Sequence, residues 1–237
     1  MDVVALRRDL TMIVEPPGRS YLLRHDGGVL LVDTGRPGLG AATVDVLRGQ
    51  GSGPESITHV VLTHWHVDHA GSAAEIAALT DAPVYAGRAD APLVRTGEPG
   101  PPPVFTEKET ALFAQVGAGL PESAPPCRVD VELDDGDRID ELGAVVVATP
   151  GHTDGSIALH LPDAGLLFTG DAAAESEGLV VLGPFNVDRA RATASFRRFA
   201  GLAADTVCFG HGRPLRGTDT RLLHDAATAG VVPDPLG

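Results

Sequence analysis

Four apolar runs of this chain each end directly on a short loop that carries histidine or aspartate, and this repeated arrangement most constrains the fold. The first run, residues 57–63, is rich in β-branched residues and predicts a buried strand. The loops that follow them are residues 63–71 (Thr-His-Trp-His-Val-Asp-His-Ala-Gly), 149–153, 169–171 and 210–212. Because polar loops on a rigid sheet usually build the sites of α/β proteins, we predict a functional site at a sheet edge.

The hydrophobic pattern predicts an α/β fold. Predicted strands lie around residues 10–14, 20–25, 28–33, 57–63, 82–85, 129–133, 137–140, 143–148, 156–161, 165–168 and 205–209. Predicted helices lie at about 38–49, 71–79, 188–200 and 219–229, with a helical turn at 88–94. The order of elements, strands followed by helices, occurs twice along the chain. This order predicts two halves that pack sheet against sheet with the helices outside.

Residues 96–126 differ from the rest in composition, because prolines and glycines open the segment and prolines close it. Thr106 and Glu109 have the spacing of a capping box, which predicts a helix to about residue 116. The segment is interpreted as an insertion in one domain of residues 1–237, a length that suits a single unit. Two interpretations stay open, a surface excursion and a lid over a substrate pocket.

The charge balance narrows the class of partner. The formal net charge is −14, and Lys108 is the only lysine. A protein that binds nucleic acids or anionic membranes needs a basic surface, so neither is expected as a partner of this chain. A small-molecule substrate is expected instead. No apolar signal core follows the N-terminal arginines and no apolar stretch reaches about 20 residues, so a cytoplasmic location is expected. A homo-oligomer is left open and is not predicted.

The cysteines predict neither a disulfide framework nor a nucleophile. Cys208 lies in an apolar run, which predicts a buried small residue, and Cys127 follows two prolines in a loop. No Gly-x-Ser-x-Gly motif is present. The chemistry is therefore assigned to the histidines and aspartates.

The segment after residue 63 has the chemistry of a metal site. In an extended chain residues two apart point the same way, so His64 and His66 can converge on one point, while Asp68 and His69 face a second point after the chain turns. Imidazole and carboxylate suit Zn²⁺ or iron, and the absence of thiolates excludes a zinc finger. A lone loop histidine is usually solvated, but five of the nine histidines fall in these loops. The other four, which receive no role, are His25, His59, His160 and His224.

The ordered set of ligand-type residues resembles the full signature of the metallo-β-lactamase superfamily. The residues that carry the resemblance are His64, His66, Asp68, His69, His152, Asp171 and His211, with Val32-Asp33-Thr34-Gly35 upstream. The resemblance extends from about residue 20 to 215 and implies a four-layer αβ/βα sandwich with the metals at one end of two sheets.

The resemblance also implies a ligand set for two Zn²⁺ ions, with iron or manganese as alternative metals. It assigns His64, His66 and His152 to the first ion. It assigns Asp68, His69 and His211 to the second, with Asp171 as the bridging carboxylate. Asp33 is expected to steady the ligand loop by hydrogen bonding.

The implied activity is that of a dinuclear zinc hydrolase in which a metal-bridging hydroxide cleaves an ester-type bond of a small molecule. Asp68 and Asp171 are the expected catalytic carboxylates. The motifs around His152 and Asp171 look more like those of glyoxalase II, thioesterases and lactonases than like those of zinc β-lactamases, which are expected to lack a bridging aspartate. Glyoxalase II carries an added C-terminal domain, which the 26 residues after His211 are expected to be too few to supply.

Several alternatives are retained. One is a mononuclear iron dioxygenase of the same fold acting on a sulfur substrate, disfavoured by the presence of Asp68, His69 and His211 together. Another is a β-lactam hydrolase. A flavodiiron-type redox protein would need a fused flavin domain, and a non-catalytic metal-binding protein would not need the complete ligand set.

The substrate pocket is expected to be apolar. Two segments are expected to line the pocket: the predicted loop at residues 172–187 and the 96–126 segment. An apolar lining favours an acyl or aromatic substrate. A general acid for an alkoxide leaving group is not evident, since Tyr21 and Tyr85 lie in predicted strands and are expected to pack. This favours a thioester, or an ester or lactone whose leaving group is protonated by water. Trp65 is likewise expected to pack.

Overall fold

A computed structural model of the chain describes residues 1–229 and contains two compact units. The first unit comprises Met1–Gly100 and Pro121–Leu133, and the second comprises Pro101–Leu120 and residues 134–229. The predicted insertion is therefore shared between the units. A single domain spanning residues 1–237 stays a prediction.

The first unit is built on one seven-stranded sheet. Its strands are β1 (Asp2–Ala5), β2 (Leu10–Glu15), β3 (Gly18–His25), β4 (Gly28–Val32), β5 (Ile57–Leu62), β6 (Val84–Gly87) and β7 (Val131–Leu133). They lie in chain order, antiparallel from β1 to β4 and parallel from β4 to β7. The central strands β4 and β5 are buried along most of their length, as expected where a parallel sheet is covered on both faces.

The helices of the first unit are short. They are α1 (Gly40–Gly49), α2 (Val67–Ala70), α3 (Ala73–Leu79) and α4 (Ala91–Thr96). Leu47, Ile76 and Val94, one from each of the three longer helices, are buried in one apolar cluster with residues of the sheet. Trp65 belongs to the same cluster, so its predicted packing role is confirmed.

The second unit holds a six-stranded sheet and a separate hairpin. Its strands are β8 (Arg138–Ile139), β9 (Ala144–Ala148), β10 (Ile157–Leu161), β11 (Leu166–Gly170), β12 (Ala173–Ser176), β13 (Leu179–Leu182), β14 (Thr206–Phe209) and β15 (Leu215–Arg216). The larger sheet has the order β15-β14-β11-β10-β9-β8, and β12 pairs only with β13. Since β9, β11 and β14 run in the same direction, their carboxyl ends meet at one edge.

The helices of the second unit are α5 (Glu107–Val116), α6 (Arg189–Phe199) and α7 (Arg221–Thr228). The capping box predicted for α5 is confirmed, because Thr106 and Glu109 exchange side-chain to backbone hydrogen bonds. The N-cap of α6 is Asp188, whose carboxylate accepts the Arg191 amide. No helix among residues 1–229 combines the length and apolar character needed to cross a bilayer.

Five of these strands and helices were not predicted from the sequence: β1, α2, β12, β13 and β15. Strand β1 offers no alternating pattern of burial because all four of its residues are exposed at the sheet edge. The stretch after Asp171 was expected to be a loop, but it contains the β12–β13 hairpin. Its two-residue turn, Glu177-Gly178, has φ values of 52° and 85°, the positive values of a type I′ turn. Glutamate is not among the residues typical of that turn, so the sequence carried only a weak hairpin signal.

The predicted burial of Cys208 is confirmed, and Cys127 is buried as well. Tyr21 is buried in β3, while Tyr85 is half-buried and stacks on His59 with ring centroids 5.6 Å apart. Neither cysteine forms a disulfide.

Candidate functional site

The first unit gathers four of the predicted ligands where β5 ends. His64, His66, Asp68 and His69 are called the first cluster. The ring centroid of His64 lies 4.7 Å from that of His66 and 4.1 Å from that of His69. Potential ligand atoms of Asp68 and His69 lie within 4.8 Å of each other. The chain is extended at His66 and turns into α2 immediately afterwards, which is the change of direction that the sequence predicts.

Asp33 organises this cluster from the end of β4. Its carboxylate accepts the Thr63 amide and the Thr63 hydroxyl, each at 2.8 Å, and Oδ2 also lies 2.8 Å from Nδ1 of His69. A proton on Nδ1 of His69 leaves the Nε2 lone pair available to a metal. Because the Thr63 hydroxyl donates to Asp33, its oxygen is free to accept from Nδ1 of His64, 3.1 Å away. One buried carboxylate therefore sets the tautomer of two histidines.

Two further side chains brace the same loop. The amide and hydroxyl of Thr34 both donate to the carbonyl of His69, at 2.7 and 2.9 Å. The buried carboxylate of Asp90 accepts the Trp65 amide at 3.1 Å. A Cβ at Gly18 would lie 2.7 Å from the Asp68 carbonyl oxygen, so only glycine lets the β2–β3 turn approach this closely. Sequence reasoning gave Thr63 and Asp90 no role, because their contacts with Asp33 and Trp65 form only on folding.

The second unit gathers the other three predicted ligands at the edge where β9, β11 and β14 end. His152, Asp171 and His211 are called the second cluster. Oδ2 of Asp171 lies 3.6 Å from Nε2 of His152 and 3.0 Å from Nε2 of His211. Nδ1 of His152 donates to the carbonyl of Pro184 at 3.0 Å, which directs Nε2 to the carboxylate. One carboxylate oxygen thus stands between two imidazole nitrogens.

The loop of His211 is held by strand β12. The amide of Glu175 donates to the carbonyl of His211 at 3.2 Å, and the Glu175 carboxylate accepts the Arg213 amide at 2.8 Å. Gly212 has φ 89°, and a Cβ there would overlap the backbone of Glu175. Sequence reasoning missed Glu175 because its segment was expected to be a loop.

The donor atoms of both clusters fit divalent metal ions. Each cluster offers imidazole nitrogens and carboxylate oxygens and no thiolate, a set that suits zinc, iron or manganese. His64, His69 and His152 are buried, and each uses Nδ1 for a hydrogen bond within the protein. Metal-binding histidines characteristically show this arrangement, in which Nε2 serves as the ligand atom.

The histidines without an assigned role lie outside both clusters. His25 and His59 each place a ring nitrogen 3.0 Å from the hydroxyl of Thr58. Nε2 of His160 lies 2.9 Å from the carbonyl of Ala203, and His224 is exposed on α7. These contacts are structural.

A buried carboxylate connects α5 to the loop that holds His152. Glu109 is fully buried and accepts the Phe185 amide at 3.0 Å and the Arg189 guanidinium at 2.6 Å. Burial acts to raise the pKa of Glu109, but hydrogen bonds from the Thr106 and Phe185 amides together with Arg189 outweigh it, so the pKa lies below its ordinary value of 4.5. Sequence reasoning assigned Glu109 only to helix capping.

Replacing Glu109 by glutamine is expected to lower the free energy of unfolding by about 2 kcal/mol at pH 7, because a buried carboxylate loses charge-assisted hydrogen bonds. A depressed carboxyl pKa stabilises the fold above the unfolded-state value and loses that effect as pH falls through the folded-state value. The difference from wild type in urea denaturation should therefore shrink below about pH 4.5. The exposed Glu107 of the same helix turn provides the matched control, Glu107→Gln. A pH-independent difference would contradict this assignment.

Comparison with known proteins agrees with this geometry. Residues 14–211 match the sequence profile of the Metallo-beta-lactamase superfamily. The chain is 30% identical over 209 residues to the probable metallo-hydrolase YflN of Bacillus subtilis, covering 81% of this chain and 78% of that protein. It is 33% identical over 195 residues to a hydroxyacylglutathione hydrolase of Fuscovulum blasticum, covering 80% of this chain and 60% of that protein.

Solved structures show the same fold. A metallo-beta-lactamase family protein of Thermus thermophilus superimposes with a TM-score of 0.67 and 27% identity, over 94% of this chain and 79% of that one. The metallo-beta-lactamase MIM-1 of Novosphingobium pentaromativorans gives a TM-score of 0.70 at 20% identity, over 95% and 86% of the two chains. The second likeness concerns the fold alone.

These findings define the class of protein as a metal-dependent hydrolase built on two mixed sheets flanked by helices. The chain belongs to the metallo-β-lactamase superfamily. The α/β sandwich fold and the family predicted from the ligand motifs are thereby confirmed.

Proposed function

We propose that this hydrolase holds two zinc ions and cleaves an ester-type bond of a small molecule, with a thioester as the favoured substrate and a lactone or ester as alternatives. The observation that carries the proposal is the placement of the Asp171 carboxylate, whose Oδ2 lies between Nε2 of His152 and Nε2 of His211. A carboxylate between two imidazoles is what a bridging ligand of two neighbouring ions requires.

The proposed ligand assignment is the one that the family resemblance implies. His64, His66 and His152 would hold one ion, Asp68, His69 and His211 the other, and Asp171 both. Two such ions, when bound, supply hydroxide at neutral pH and polarise the substrate carbonyl. Asp33 orients His69 directly and His64 through Thr63, so its role in this proposal is positioning.

The two catalytic carboxylates differ in exposure, which supports different roles. The side chain of Asp68 is 14% exposed, whereas that of Asp171 is 7% exposed and flanked by two imidazoles. We assign proton transfer to a carboxylate oxygen of Asp68, because a group that exchanges protons needs access to solvent or substrate. Asp171 is assigned the role of a ligand to both ions.

Several relatives support an acyl substrate. The hydroxyacylglutathione hydrolases that match this chain are 30–36% identical to it, but the alignments span only 34–60% of their length. Their printed activity therefore enters only as support for the thioester. Hydrolysis of a β-lactam is disfavoured, because Asp171 supplies a carboxylate at the position where zinc β-lactamases are expected to lack a bridging aspartate. The likeness to the solved β-lactamases MIM-1 and BJP-1, at 20% and 19% identity, concerns the fold alone.

A substrate panel tests the proposal. Zinc-loaded protein would be assayed with acyl thioesters, γ- and δ-lactones, nitrophenyl esters and a chromogenic β-lactam, each with and without a chelator. We expect chelator-sensitive turnover of at least one acyl class and none of the β-lactam. An iron-loaded protein that consumes oxygen with a persulfide, in the absence of any hydrolysis, would instead support the dioxygenase alternative. The small-molecule partner and the cytoplasmic location stay predictions.

A further inference from the structure

Three of the seven phenylalanines form an exposed group in the second unit. Phe168, Phe196, Phe199 and Phe209 are fully buried, as is usual for this residue. By contrast, Phe105 and Phe113 are 37% and 44% exposed, and Phe185 is half-buried. These last three residues are called the aromatic wall.

The rings of the aromatic wall pack on one another. Ring centroids lie 5.0 Å apart for Phe105 and Phe113, 5.2 Å for Phe113 and Phe185, and 5.9 Å for Phe105 and Phe185. These distances and the tilted and edge-to-face angles are those of favourable aromatic pairs. Val104, which is 71% exposed, extends the apolar surface. An apolar patch that the fold leaves open marks a binding surface.

The backbone under the wall is held in an uncommon conformation. Phe185 has φ 63°, a left-handed value that is unfavourable for a bulky residue. Its amide donates to the buried Glu109, and the carbonyl of Asn186 accepts the Val104 amide at 2.9 Å. Local strain of this kind persists where the surroundings fix it, and such strain concentrates at functional sites.

The wall is continuous with the second cluster. Phe185 follows Pro184, whose carbonyl accepts Nδ1 of His152, and the Val187 amide donates to the His152 carbonyl. One short loop therefore carries both the backbone partner of His152 and one of the three rings of the aromatic wall. This loop connects the wall to the second cluster.

We infer that the aromatic wall binds the apolar acyl or aryl group of the substrate and so determines chain-length specificity. This inference rests on the proposed function, because it places the scissile carbonyl at the metals near His152. Each methylene buried against the wall is expected to tighten binding by about fourfold. Short acyl groups would not reach it.

The test uses product-type carboxylates as probes, so that binding is measured without turnover. Acetate, hexanoate and decanoate would be titrated calorimetrically into the zinc-loaded protein. We expect wild type to bind decanoate at least about 100-fold more tightly than acetate, the effect of several buried methylenes. A Phe105→Ala/Phe113→Ala variant should lose most of that preference and keep its acetate affinity. The control is Leu179→Ala, which removes another 61% exposed apolar residue of the same unit.

A second variant, Phe113→Leu, keeps the apolar volume and should retain the preference, which separates a lost surface from a misfolded protein. Equal affinity of wild type for all three carboxylates, or an unchanged preference in the double variant, would overturn the inference even if esters are hydrolysed. A wall-dependent preference in a protein that hydrolyses nothing would instead refute the proposed function. Dissociation of a dimer by the double variant, with unchanged decanoate binding, would identify the wall as a contact between chains and overturn the inference.

Discussion

Replacement of His64 by alanine is expected to remove at least one metal ion per chain and to lower kcat/KM by about a thousandfold. His64 is buried, and Thr63 fixes the orientation of its ring through Nδ1. Alanine therefore removes a ligand nitrogen that is already oriented for the metal. The Lewis-acid contribution of a catalytic metal is worth several kcal/mol, which corresponds to about three orders of magnitude in rate. This is one of the two largest effects that the site predicts.

The measurement is elemental analysis of protein purified without added metal, paired with the kinetics of the best substrate from the panel. About two zinc ions per wild-type chain, reduced in His64→Ala, would support the dinuclear assignment. His224→Ala is the matched control, because this histidine is exposed on α7 and belongs to neither cluster. A single iron per chain would refute the zinc mechanism and direct the search to oxygen-dependent sulfur chemistry.

Replacement of Asp33 by asparagine is expected to weaken metal binding by about 10- to 100-fold, the usual cost of losing a partner of a metal-binding histidine. The substitution changes the side chain without straining the backbone, because Asp33 has φ 57° and asparagine tolerates that left-handed conformation. The amide nitrogen that takes the place of Oδ2, however, is a donor and can accept from neither the Thr63 hydroxyl nor Nδ1 of His69. The orientation of two imidazoles is lost while the backbone is preserved.

Competition with a chelating dye measures the metal affinity, and urea denaturation of the metal-free protein measures the effect on the fold. We expect metal affinity to fall and the metal-free variant to lose about 2 kcal/mol of stability, since a charged buried acceptor is removed. Asp163→Asn, at an exposed turn position, should change neither quantity. Wild-type metal affinity in Asp33→Asn would show that the hydrogen bonds to Thr63 and His69 do not position the ligands.

Sequence reasoning was most successful where the signal was local. The apolar runs before residues 63–71 and 169–171 correspond to β5 and β11, and the capping box of α5 is present as predicted. A polar residue that directly follows a strand lies at the edge of the sheet, and this holds whichever other segments pack against the sheet. The side chains of each cluster could therefore be named from the chain alone.

Sequence reasoning failed where the contacts join distant parts of the chain. The hairpin after Asp171 depends on a Glu-Gly turn that is a weak local signal. Glu109 lies 76 residues from the amide of Phe185 that it accepts, and nothing in its own segment indicates that its carboxylate is buried. The exposure of Phe105 and Phe113 was likewise decided by packing and not by hydrophobicity.

By itself the sequence determined the set of candidate metal ligands, their order and the strands that present them. Only the tertiary structure decided which ring nitrogen of His64, His69 and His152 is used inside the protein, because the partners of these nitrogens include a carboxylate 36 residues and a carbonyl 32 residues away. The tertiary structure also decided which phenylalanine side chains stay exposed to solvent. The physical reason is that propensity and periodicity act over a few residues, whereas hydrogen bonding and burial depend on segments that meet only after folding.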